Sequence, residues 1–113
     1  MIDTKYVNEY LEALSSVELF HKTYMYPGLP VAMYYAQYGS KFARIVREDT
    51  QTMVHAFVDM TNGDVLKAAG WASPQRDKNG LAVRYNLVDD YSRETCFSRI
   101  DIHGGYLYKR PIT

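Results

Sequence analysis

Arg44, with Lys41 and Arg47 near the ends of the same expected strand, has the aromatic residues Tyr35, Tyr38 and Phe42 interleaved nearby in one short stretch of the chain. Cations beside rings are what binders of single-stranded nucleic acid use, because the charge follows the phosphates while a ring stacks on a base. The ordinary alternative is a solvated sheet face, which carries Arg, Lys and Tyr merely because it is wet. Trp71, the only tryptophan, follows Gly70 and precedes Pro74. An indole there is expected to close the end of a core, its N–H on a carbonyl; left outside, it would stack on a base or sugar. Lys67 has apolar neighbours on both sides, so it is expected to pair across a hairpin with Asp59 or Asp64, with phosphate as the other use. Arg84 and Tyr85 also lie among apolar residues. A partly covered guanidinium suits a carboxylate or phosphate ligand, or a buried pairing with Asp89 or Asp90. Arg76 and Lys78 stand on a polar stretch that reads as an exposed loop, residues 73–80. The candidate contact residues are therefore Arg44, Lys67, Trp71, Arg76, Lys78, Arg84 and Tyr85.

Catalytic and metal chemistry find less support. His21, His55 and His103 are widely separated and lack paired cysteines, whereas a metal needs three or four converging ligands. Cys96 has nothing local to activate it and reads as a small apolar core residue. Gly63-Asp64-Val65-Leu66-Lys67 lacks the spacing of a phosphate-binding loop. Asp89, Asp90 and Glu94 could hold a cation, but more simply favour a helix start. No catalytic residue, metal ligand or cofactor is assigned, and a non-enzymatic role is expected.

With 113 residues, the chain suits a single domain with one core. Its 13 Lys and Arg balance 13 Asp and Glu, so no global field draws it to a polyanion or an anionic membrane. Residues 1–30 carry two cations against four anions, and residues 40–85 carry seven against five, a mild asymmetry. A single cysteine rules out an internal disulfide. No leader pattern or membrane-length apolar run is visible, so a soluble intracellular protein is expected. Eleven tyrosines are the compositional oddity. Most are expected at half-buried strand positions, the remainder on a binding surface.

The elements that must position these residues follow from periodicity. From Asp3 to about Met25, apolar residues recur at helical spacing, with Asp3 as N-cap. Ser15-Ser16-Val17-Glu18 offers a capping box, so one helix or two are expected before Pro27-Gly28 stops helical structure. Strands are expected at 31–38, 42–47, 53–59 and 64–68, joined by short polar turns in an antiparallel meander. Asn62-Gly63 marks the reversal between the last two. Alternation places Val54, Ala56 and Val58 on the helix-facing side, with His55, Phe57 and Asp59 opposite. Residues 81–87 form a strand or docked segment. A short helix follows near Ser92, capped by Asp89, Asp90 or Ser92, and Tyr106 to Lys109 reads as a final strand before Pro111 ends order. The fold class is α+β, one or two N-terminal helices on a four- to five-stranded antiparallel sheet.

Several of these stretches, Val54-His55-Ala56-Phe57-Val58-Asp59, Thr61-Asn62-Gly63-Asp64-Val65-Leu66-Lys67-Ala68-Ala69-Gly70-Trp71, Arg84-Tyr85-Asn86-Leu87 and Gly104-Gly105-Tyr106-Leu107-Tyr108, resemble a functionally uncharacterised family of small proteins of tailed bacteriophages. The resemblance covers roughly residues 41–110 and departs at Ile102-His103, where an aromatic residue is expected before the Gly-Gly pair. It implies a viral protein acting in the host cytoplasm and carries over no site residue. The expected role is non-catalytic binding of a macromolecule, either nucleic acid and its processing machinery or a host protein, such as a defence component, that it blocks. A virion-associated or enzymatic role ranks third, and no pattern indicates an oligomeric state.

Overall fold

The computed structural model describes residues 1–108. Helix α1 spans Thr4–Phe20 and begins at Asp3, whose carboxylate accepts from the N–H of Lys5 at 2.9 Å. Val7, Tyr10 and Leu14 recur along one face and are fully buried. The helix does not break at Ser15. Glu18, which would have closed that capping box, turns inward to Lys22 and Arg47, while Ser15 and Ser16 stay exposed within a continuous helix. At His21–Met25 the helix widens into a π-turn, closed by Tyr26 N–H on the His21 carbonyl at 3.1 Å. Gly28, at φ +93°, then carries the chain away.

Strands β1 (Met33–Tyr38), β2 (Phe42–Glu48), β3 (Thr52–Asp59) and β4 (Asp64–Leu66) form the meander, and β7 (Val83–Asn86) adds a fifth strand beside β4. All the pairings are antiparallel. Between β4 and β7, a small hairpin of β5 (Arg76–Asp77) and β6 (Gly80–Leu81) interrupts the expected loop. The β3–β4 connection takes residues 60–63. Its Gly63 is left-handed at φ +89°, whereas Asn62 is not, so the reversal is wider than a two-residue turn. Helix α2 (Asp90–Arg99) starts at Asp89, whose carboxylate accepts from Ser92 N–H at 2.8 Å.

One face of the sheet meets α1. Ala43, Ile45, Ala56, Val58 and Val65 share a core with Val7, Tyr10, Leu14 and Cys96. Val54 departs from the expected set. Ile45 pairs with Ala56, but Val46 pairs with Val54, which leaves His55 as the extra residue of a β-bulge. His55 therefore turns to the helix side, its ring edge-on to Tyr34 at 5.7 Å and bonded to Tyr106.

The expected final strand is a 3-10 turn at Gly105–Leu107 instead. Gly104 is left-handed, and the Asp101 carboxylate accepts N–H groups from His103, Gly105 and Tyr106, curling the segment before it can extend. Lys109 and Pro111, assigned from sequence to that strand and its end, lie outside the described residues.

Candidate functional site

Register on the sheet face away from α1 places Gln37, Arg44 and Phe57 side by side on β1, β2 and β3. Arg44 Nη1 donates to Gln37 Oε1 at 2.8 Å and Nε to the Trp71 carbonyl at 2.7 Å. Its guanidinium lies 4.5 Å from the centre of the Trp71 ring and 5.8 Å from that of Phe57. Lys41 sits 5.2 Å from the Phe42 ring, which in turn packs edge-on against Phe57 at 6.4 Å. Gln37, Lys41, Phe42, Arg44 and Phe57 border a shallow cleft of about 320 Å3, whose wall also includes Ala72, next to Trp71 in the chain. Among the described residues lining it there is no Asp or Glu. The two hydrogen bonds hold the guanidinium over the indole and use only part of its five-donor fork.

Trp71 is not the core lid its flanking residues suggested. The indole is 43% exposed, because the sheet beneath is already filled by Phe57, which is 3% exposed, with the Arg44 guanidinium over it. Arg47 leaves the expected basic stripe altogether. It crosses to the helix side and donates from Nη2 to Glu18 at 3.1 Å and from Nη1 to Asp49 at 3.0 Å. Lys22 completes that cluster, 2.8 Å from Glu18, and Tyr34 donates its hydroxyl to the same carboxylate. Burial pulls the Glu18 carboxyl upward, but the two cations outweigh it and hold it below its ordinary value. Burial pushes the Tyr34 hydroxyl up to about 12.

Lys67 is not paired with an aspartate. Asp59 is taken by Thr61 and Asp64 by Asn86, so the ammonium reaches Gln75 and lies 5.0 Å from the Tyr108 ring. Arg84 is buried and donates from Nε to the Leu107 carbonyl at 2.8 Å. Asp89 is occupied capping α2 and Asp90 pairs with Arg93, so neither meets Arg84. Tyr85 is buried beside Tyr106. These two residues hold the C-terminal segment. Arg76 and Lys78 are exposed on the β5–β6 hairpin, as their loop position suggested. Of the seven candidates, the structure brings Arg44 and Trp71 into one contact and leaves the other five elsewhere.

A second cleft, of about 290 Å3, opens between Lys67, His55, Arg47, His103 and Tyr108. His55 Nε2 is 2.7 Å from the Tyr106 hydroxyl, itself 2.6 Å from the Tyr10 hydroxyl. Burial pulls the imidazole down to about 4, so the ring is neutral at physiological pH. Burial pushes both tyrosine hydroxyls well above their ordinary value. No sequence signal pointed to His55, since alternation placed it on the opposite face. Burial also pushes the Cys96 thiol up to about 12, so it is an inert core group.

Among the described residues, no group of three or more His, Cys, Asp or Glu side chains gathers to hold a metal. No helix among them is long and apolar enough to cross a membrane. No curated protein and no solved structure matches the chain. The model of a family of unknown function (DUF7717) matches residues 4–109, so that α1, the sheet and α2 all lie within the matched span. The chain belongs to that family.

Proposed function

We propose that the protein is a non-catalytic binder of single-stranded nucleic acid, acting in the cytoplasm of an infected bacterium. The observation that carries the binding reading is the Arg44 guanidinium held over the exposed Trp71 indole, beside a cleft that holds Lys41, Phe42 and Phe57. Rings supply stacking surfaces that tolerate any base, and the two cations attract phosphates without an opposing carboxylate in the wall. The setting rests on the resemblance to proteins of tailed phages. Because the chain has no net charge, contact with a polyanion must be local to such a patch.

Trp71 is the only tryptophan and therefore reports on its own site. Titration with an oligothymidylate at low salt is expected to quench its emission, with affinity falling steeply as salt rises. Arg44→Ala and Lys41→Ala should each weaken retention several-fold. Unchanged retention in both variants overturns the reading. Salt-insensitive capture of a host protein without polynucleotide binding would replace it with the blocking role.

A further inference from the structure

Strand β1 ends the sheet on one side, and its sequence Met33-Tyr34-Tyr35-Ala36-Gln37-Tyr38 contains no charged residue and no proline. Edge strands are ordinarily blunted by Lys, Pro, bulges or a cover, since their free main-chain groups can template another strand. The opposite edge is protected in this way. β7 is four residues long, carries Arg84, and gives its Asn86 N–H to the Ser92 hydroxyl. Among the described residues, β1 pairs with β2 alone and has none of these devices.

The approach to β1 is apolar as well. Phe20, Tyr24, Met25, Tyr26, Leu29 and Met33 are each at least half exposed, and the Phe20 and Tyr24 rings pack together at 4.9 Å. This end of α1 sits over the strand, because Tyr34 reaches Glu18 and Lys22 reaches the Pro30 carbonyl. Five side chains outside the strand at roughly 100 Å2 each, with the strand itself, come near the roughly 800 Å2 per partner of a standard interface. Isolated exposed apolar residues are ordinary, but a run of this size beside an open strand edge is not.

We infer that β1 pairs antiparallel with β1 of a second copy, joining two five-stranded sheets across a two-fold axis. Lack of charge is what identifies the partner as a copy. In an isologous strand pair, any charged residue on β1 would sit close to its own like across the axis, and here there is none. The alternation also fits. In an antiparallel pair, facing residues share a side, so Tyr35 can face its own copy while Tyr34 faces Ala36 and Met33 faces Gln37. That register sets the aromatic end of α1 in one copy toward the half-exposed Tyr38 of the other. With the axis normal to the sheet, both Arg44–Trp71 contacts fall on one face. The inference stands without the nucleic-acid reading, and no polynucleotide enters its test.

Sedimentation equilibrium of the full chain at roughly 100 µM, a concentration that populates even a micromolar dimer, should return twice the chain mass. Hydrogen exchange should show β1 amides slowed relative to a dilute sample. Met33→Lys with Tyr38→Lys places charges on two exposed edge positions and should return a folded monomer, as judged by unchanged circular dichroism. Tyr91→Lys removes an exposed aromatic residue on α2 and should remain dimeric. A monomeric wild type overturns the inference, as does a dimer that survives the paired lysines or forms without slowing the β1 amides.

Discussion

The hydroxyls of Tyr10 and Tyr106 lie 2.6 Å apart in the core, joining the first helix to the last turn. Tyr106 is the middle member of a chain of three, since its oxygen is also 2.7 Å from His55 Nε2. Tyr106→Phe strands both partners in an environment that excludes water, and is expected to cost about 2–3 kcal/mol. Tyr10→Phe removes an end group and should cost about 1 kcal/mol. Urea unfolding of both variants and of the double mutant checks this order, and the two losses should not add. Equal losses, or a strictly additive pair, would mean that the three groups do not act together.

His55 gives the protein a distinct acid response. Its folded pKa, about 4, lies below the unfolded value of about 6.5, so the unfolded chain binds the extra proton. The stability this provides is complete above about pH 6.5. It declines as pH falls toward 4, by at most about 3 kcal/mol. Glu18, also depressed, loses its contribution at lower pH, as the solution passes through its folded value. His55→Gln should flatten the stability profile between about pH 6.5 and 4.5, while leaving the steeper loss below it. Denaturant midpoints measured across that range decide the matter.

Glu18 has no exposed surface and answers two cations at once. Glu18→Ala leaves Lys22 and Arg47 partly buried without their carboxylate, and is expected to cost about 3–5 kcal/mol. Exchange of the whole group for apolar residues should cost far less, because the expense of a broken cluster lies in the stranded charge. Calorimetric melting of Glu18→Ala beside a Glu18→Leu, Lys22→Met, Arg47→Met triple variant compares the two.

Gly63 and Gly80 both have positive φ, but only Gly63 is confined. A Cβ at Gly63 would meet Val88 Cγ2 at 2.8 Å, whereas one at Gly80 meets nothing within 4 Å. Gly63→Ala should therefore destabilise by about 2–3 kcal/mol and Gly80→Ala by about 1 kcal/mol, the cost of conformation alone. Thermal melts of the two variants test the difference.

Much of the architecture was legible along the chain because it depends on neighbours a few residues apart. Asp3 and Asp89 cap helices by reaching two or three residues forward, and the spacing of Val7, Tyr10 and Leu14 writes the buried face of α1. The polar turns between alternating segments likewise mark out the β1–β4 meander. What escaped that reading depends on groups distant in sequence. One unpaired residue at His55 reverses the facing of Val54, and periodicity carries no mark of it. Arg47 looked like a surface cation until Glu18, 29 residues earlier, supplied a buried partner. Trp71 looked like a core residue until Phe57 and Arg44 occupied the space beneath it. Short-range hydrogen bonding and periodicity act on the chain directly, while the destination of a long polar or aromatic side chain is set by whichever distant groups the folded sheet brings within reach of it.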